Sequence, residues 1–398
     1  MPISRLLMPL LKRFMLAFIG IIVFNSLQAQ SDREFWFAAP EVTQGHGDKP
    51  ILFRFASSSK PAIITISQPA NPNFSPIELS INAFSYTTKD ITQFINSVEN
   101  KPSNTSLNYG FLITSSSSIS AYYEVGYTNN AEIFPLKGFV AKGKEFLIPG
   151  QNTFNNKVPL TPSAHNGFVI VATEDNTNIE IELTNPDETG KYQISITLNK
   201  GQTYAVNAAT EFATSHLGGS LIHSDKAICV TIYDDSILIG GSYDLVGDQI
   251  VPINNTGKLF VIVRGALNYN ANPNTDYYYV WATENGTEIK VDGNVVATIN
   301  KGAYYVGQLK VNTAYVETSK SSYVFQLTGT GQEATGTSLP SITCTGSQSV
   351  TFVRSTNEAF YLNLLCKTED ISSFAINGDP SLIISNMFNV VPGSAGIW

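Results

Sequence analysis

Residues 168–183 read FVIVATEDNTNIEIEL. The first five are apolar without a break, as in a strand buried on both faces, whereas Ile179, Ile181 and Leu183 alternate with Glu180 and Glu182, as in a strand with one wet face. Residues 174–178 between them are short and polar, the chemistry of a tight turn. The pattern predicts strand, turn, strand. It recurs at 279–291, where Asn285-Gly286 is a stronger hairpin signal, and more loosely at 53–66. The turn at 198–204 (LNKGQTY) recurs at 299–304 (INKGAY). On this alignment Ala56, Ala172 and Ala282 take equivalent places, a period of about 110 residues.

Other blocks keep the same period. Opening strands are expected at 34–40, 143–148 and 257–262, with a looser counterpart at 346–352. Closing blocks at 110–123, 219–233 and 314–327 each read as strand, polar turn, strand, followed by a loop carrying Pro135, Pro252 or Pro340. The fold class is therefore all-β, with tandem β-sandwich-like repeats of about 110 residues. A β-propeller with two four-stranded blades per repeat is the alternative. The expected division is 1–29 leader, 30–142, 143–256 and 257–349 as three β repeats, and 350–398 as an incomplete fourth.

The first 29 residues stand apart. Arg5, Lys12 and Arg13 precede an apolar run at 14–24, too short to span a bilayer, and Ala29 before Gln30 supplies a small residue for cleavage. This is a signal peptide, so the protein is expected to be exported to the periplasm, the cell surface or the medium. No later stretch has eighteen consecutive apolar residues, so no stable membrane span is expected after cleavage. Losing the three basic residues takes the formal net charge from −8 to −11. An acidic, Lys/Arg-poor chain argues against nucleic-acid binding.

The ordered phrases at 168–177, 198–204 and 224–230, with 325–333, Leu339-Pro340 and 344–347, resemble the IgGFc-binding protein N-terminal domain family in its bacterial secreted or surface branch. The resemblance implies a multi-domain surface protein of gram-negative gliding bacteria, associated with type IX sorting or gliding-motility modules. It implies binding or adhesion and assigns no site residues. Fc binding belongs to the animal mucosal members of the family.

Catalytic motifs are absent from the sequence: no HExxH, nucleophile elbow, Walker loop or dinucleotide fingerprint occurs. The expected function is therefore binding of an extracellular protein or glycan, not catalysis; a carbohydrate-active enzyme with an acidic loop site is the alternative. His46, His165, His216 and His223 show no zinc spacing. Asp234, Asp235, Asp244 and Asp248 lie around Gly240-Gly241, and oxygen ligands on a glycine-rich loop suit Ca²⁺, although the spacing matches no EF-hand and a solvated loop is the plainer reading. Tyr277, Tyr279 and Trp281 share one strand face, a sugar platform if exposed and core if not. Of the three cysteines, Cys344 and Cys366 bracket an expected strand pair at 350–353 and 360–364 and are the candidate disulfide, leaving Cys229 as a buried thiol.

Three measurements check these readings. Intact mass of the secreted protein should give a chain starting at Gln30, and retention of 14–24 would contradict the leader. Thiol counting on the denatured, unreduced chain should find one free thiol; three would rule out the bridge. Limited proteolysis should trim from about residue 354 onward first, since a repeat without its closing block leaves unpaired edges and belongs to a longer surface protein.

Overall fold

The computed structural model describes residues 31–398 except 270, 271, 274, 344, 345, 347–349, 357–359 and 361. The leader, Ala29 and Gln30 lie outside the described residues. The protein is nearly all β, organised around three long strands, Phe111–Val125, Leu221–Ile239 and Thr313–Gly331. Each long strand belongs to two layers at once, each built on four strands, with Ser106–Leu107 added at the edge of the second unit's sheet and Ala266–Tyr269 added to the third's. In the first unit its beginning pairs with Asp32–Phe37 on one side and Ala62–Ser67 on the other, with Ile77–Ile81 beyond. Its end pairs with Ile51–Ser57 and Glu132–Pro135, with Tyr86–Asp90 beyond. The second and third units repeat this order around their own long strands. A strand that leaves one layer and enters the other closes a corner of the sandwich. A propeller blade has no such shared strand, so the sandwich reading holds and the propeller does not.

The polar stretches read as turns inside the closing blocks are instead the bends of these continuous strands. At each bend the register jumps, between residues 114 and 119, 223 and 228, and 317 and 322. The bend side chain satisfies a backbone N–H of the neighbouring strand: Ile63 N donates to Ser116 Oγ, Asn178 N to Asp225 Oδ1 and Glu288 N to Ser319 Oγ, each at 2.9 Å. A bend without that acceptor would leave a strand donor unpaired.

The bends also correct the repeat alignment. Ile119, Ile228 and Ser322 resume pairing at the same point, opposite Ser57, Ala172 and Ala282. Ser57, not Ala56, is therefore the equivalent of the two later alanines. A one-residue shift moves every side chain to the other face, so Phe53 and Phe55 fill the first core as Phe168 and Ile170 fill the second.

The units are not separate beads. The outer face of the second unit's later layer (Val169, Val171, Ala205, Cys229, Tyr233) joins the core of the first. The same face of the third unit (Tyr277, Tyr279, Trp281, Tyr323, Phe325, Leu327) joins the core of the second. The hydrogen-bonding ends of these aromatics are met across the junction: Trp281 Nε1 donates to Gly150 O (2.9 Å), Tyr279 OH to Thr153 Oγ1 (2.8 Å) and Tyr323 OH to Val251 O (2.7 Å). Two backbone approaches pin the stack. Gly110 meets Gly201 between the first and second units, and Gly219 meets Gly302 between the second and third. The recurring LNKG and INKG phrases are thus the tips that touch the preceding unit.

Among the described residues of 350–398 there is no strand, only three short 3-10 turns and an isolated bridge between Ile376 and Asp379. The strand pair expected at 350–353 and 360–364 is not formed there. Val350, Phe352, Phe360 and Leu362 are exposed to solvent.

Gly219 has φ +87°, and a Cβ there would lie 2.3 Å from Gly302 O; Gly190 has φ +83° with open space around it. Gly190→Ala should cost about 1–2 kcal/mol from the left-handed backbone alone. Gly219→Ala should cost about 1–3 kcal/mol more, because the clash must be relieved at the junction. Denaturant unfolding of both variants measures the difference, and equal losses would show that the Gly219–Gly302 contact contributes nothing.

Candidate functional site

Four loop segments converge beside the first junction. Residues 43–47 follow the opening strand of the first unit. Residues 150–163 follow the opening strand of the second unit, Gly143–Leu147. Residues 209–216 lead into Leu221–Ile239, and Gly240-Gly241 turns that strand back into Ser242–Ile250. Their backbones interlock: Lys157 N donates to Ser236 O, Leu238 N to Asn155 O and Asn156 N to Glu211 O. Gly45 lies against Thr161, and Thr43 Oγ1 donates to Pro162 O. The outer surface carries three exposed apolar side chains on adjoining segments, Val158, Phe212 and Leu238. Lys157 Nζ sits 5.4 Å from the Tyr243 ring centre, and the centre of the His46 ring lies 4.1 Å from it.

A buried polar network holds these loops from below. Asp234 accepts from Gln151 Nε2 (2.6 Å) and Asn156 Nδ2 (2.7 Å) and lies 3.4 Å from His216 Nδ1. His216 Nε2 meets Asn156 Oδ1 at 3.1 Å. Asp235 accepts from Thr43 N (2.7 Å) and Ser236 Oγ (2.9 Å), and Ser236 Oγ is 3.1 Å from His46 Nδ1. Loops of two units are thereby bonded through the buried side chains of Asp235 and Ser236. Burial raises Asp235 to about 7, with the neighbouring Asp234 and Glu41 charges adding to it and the Thr43 and Ser236 donors opposing it. Burial also raises Asp234, against His216 and the amide donors. Burial lowers His46. The Asp234–His216 pair resembles a catalytic dyad in composition only: the ring is wholly buried, and the adjoining void has room for about one water.

The four acidic residues singled out in the sequence do not converge. Residues 234–248 form a hairpin, not a glycine-rich loop around a common point, and all four carboxylates are buried. Asp244 accepts from Ala334 N (3.0 Å), and Asp248 from Lys137 Nζ (2.6 Å), Ser338 N (2.9 Å) and Thr337 Oγ1 (3.2 Å). Among the described residues no three His, Cys, Asp or Glu side chains are placed to share a metal ion. Tyr277, Tyr279 and Trp281 are core at the second junction, not a platform. His223 is exposed and faces Glu145 at 3.5 Å. Cys229 is buried at the first junction, which pushes its thiol up to about 12. Cys366 is half-buried, and Cys344 lies outside the described residues.

The sequence reading missed Glu132. It is buried where all three units meet, accepting from Gly247 N (3.3 Å), Thr335 Oγ1 (2.9 Å) and Gly336 N (3.4 Å). With Asp244 and Asp248 it makes a row of carboxylates joining the closing strands Glu132–Pro135, Ser242–Ile250 and Glu333–Leu339. Burial raises Glu132 to about 8 and Asp244 to about 7. The only local signal was a lone acid in an apolar strand, GluIlePhe at 132–134.

These shifts set a pH dependence. A carboxyl raised in the folded state binds more protons folded than unfolded, so its contribution is full below the ordinary carboxylate range and is lost as pH rises through 7 to 8. The melting temperature should fall by several degrees between pH 5 and pH 8.5. Glu132→Gln and Asp235→Asn should each flatten that slope, and an unchanged slope in both would contradict the assignment.

A family model described as IgGFc binding protein matches residues 135–394, which takes in the second and third units and most of the segment after them. No curated protein matches the chain. The match covers more than half of the sequence, and the chain belongs to the IgGFc-binding protein family.

Proposed function

We propose that the protein is exported and works by binding, engaging extracellular protein or glycan partners through the loop platform beside the first junction. The observation that carries this reading is the pairing of exposed Val158, Phe212 and Leu238 with a buried network that fixes the loops beneath them. Pre-ordered loops lose little entropy on binding, and apolar side chains on such loops supply contact area. Family membership supports a binding or adhesion role. No helix among the described residues is long and apolar enough to cross a membrane. The resemblance in the sequence supports a bacterial surface protein, and Fc is one ligand among those to be tried.

A glycan and mucin array with an immobilised Fc arm, run on the mature chain, tests the proposal. Val158→Ser with Phe212→Ser should lower binding at least tenfold while changing stability by less than about 0.5 kcal/mol, as expected of exposed sites. Phe139→Ser, at an exposed position away from these loops, should bind as wild type. Loss in Phe139→Ser with retention in the loop pair would place the site elsewhere.

A further inference from the structure

The later layer of each unit runs out in the same place, at Tyr86–Asp90, Thr203–Asn207 and Tyr304–Leu309. In the second unit that strand is not the edge. Ser106–Leu107, from a connection of the first unit, adds antiparallel to it, with Leu107 opposite Thr203 and Ser106 opposite Tyr204. Gly110 N donates to Gly201 O (3.1 Å) and Asn104 N to Ala205 O (2.8 Å), so every second residue of the strand turns its backbone groups to the added segment. Thr203 pairs with Val171 as Tyr304 pairs with Trp281, which makes Tyr304, Val306 and Gln308 the outward-turned residues of the third unit. Among the described residues no strand and no backbone hydrogen bond reaches that side of Tyr304–Leu309.

The segment that would cover it is engaged elsewhere. Gly110 meets Gly201 as Gly219 meets Gly302, so Ser215 and His216 take the places of Ser106 and Leu107. Instead of lying flat, Ala213–Ser215 is a 3-10 turn, and His216 is buried against Gln151 and Asn156 in the network beneath the loops. One segment cannot both anchor those loops and run along the next unit. The edge it leaves is open, with Val306 41% exposed and Gln308 in solvent. It also lacks the charges that guard an edge: the first unit's strand carries Lys89 and Asp90, whereas Tyr304–Leu309 carries none. It runs on directly from Gly302, where the second junction is pinned.

We propose that Tyr304–Leu309 is a docking edge for an extended peptide segment of a partner, which adds as an antiparallel strand in the register that Ser106–Leu107 takes on the second unit. Backbone pairing at Tyr304, Val306 and Gln308 supplies the bonds, and alternate side chains of the peptide supply the selectivity. The fitting segment is apolar at the two positions opposite Tyr304 and Val306. There it lies beside the Tyr304 ring, itself packed on Trp281 with 4.6 Å between ring centres, and covers the exposed valine. This edge is a surface distinct from the loop platform and does not depend on it.

The chain's own added strand provides the probe: a labelled peptide of residues 103–109 carrying Thr105→Val, which in regular register sets leucine opposite Tyr304 and valine opposite Val306. Its fluorescence anisotropy should rise saturably with the mature chain. Val306→Pro removes one outward N–H and leaves the pairing with Asp276–Ala282 in place. That variant should keep wild-type circular dichroism and bind the peptide at least tenfold more weakly. Should it not fold, two peptides methylated on a backbone nitrogen decide. Methylation at Leu107, whose N–H faces the edge, should abolish binding, and methylation at Ser106, whose N–H faces away, should preserve it. Equal binding of the two methylated peptides, or no saturable binding of the parent peptide, overturns the proposal. A wild-type dimer in sedimentation velocity that Val306→Pro abolishes would put a second copy on the edge and overturn it as well.

Discussion

Everything in this protein depends on a sheet having two faces and on both being buried. A sandwich layer normally spends one face on its core and shows the other to water. Here the later layer of the second and third units spends both, one on its own core and one on the unit before it. The aromatic and β-branched side chains on that second face have no place in a stand-alone unit. They commit the chain to stacking, and they place the loops of neighbouring units side by side, where Thr43 of one reaches Asp235 of the next.

That double burial decides what could be read from the sequence. Alternation was legible at 177–183, where one face is wet, and the unbroken apolar run at 168–172 was legible as a strand buried twice. The turn phrases were legible as repeats, but their purpose, a glycine tip against a glycine of the unit before, was not, because the partner lies about ninety residues away. The slip of Ala56 against Ser57 has the same origin. Both residues are small and buried, so composition alone could not tell which face each one takes.

The acidic residues illustrate the opposite failure. Four aspartates near two glycines look like a loop because exposed acids are the rule. In the fold they are buried one by one, and three of them are matched to donors from other units: Thr43 to Asp235, Ala334 to Asp244, Lys137 and Ser338 to Asp248. No local pattern announces a partner 192 residues distant. The candidate binding loops were legible only as variable connections, and what makes them a platform is the network that joins loops of different units.

Glu132 has one more consequence. It bonds directly to Thr335 and Gly336, so the first and third units touch each other as well as the second. Three bodies joined in a row yield to a pull one junction at a time. Three bodies joined in a triangle share the load, and no single contact can part while the others hold. Under load, the triangle sets the force at which the whole assembly gives way.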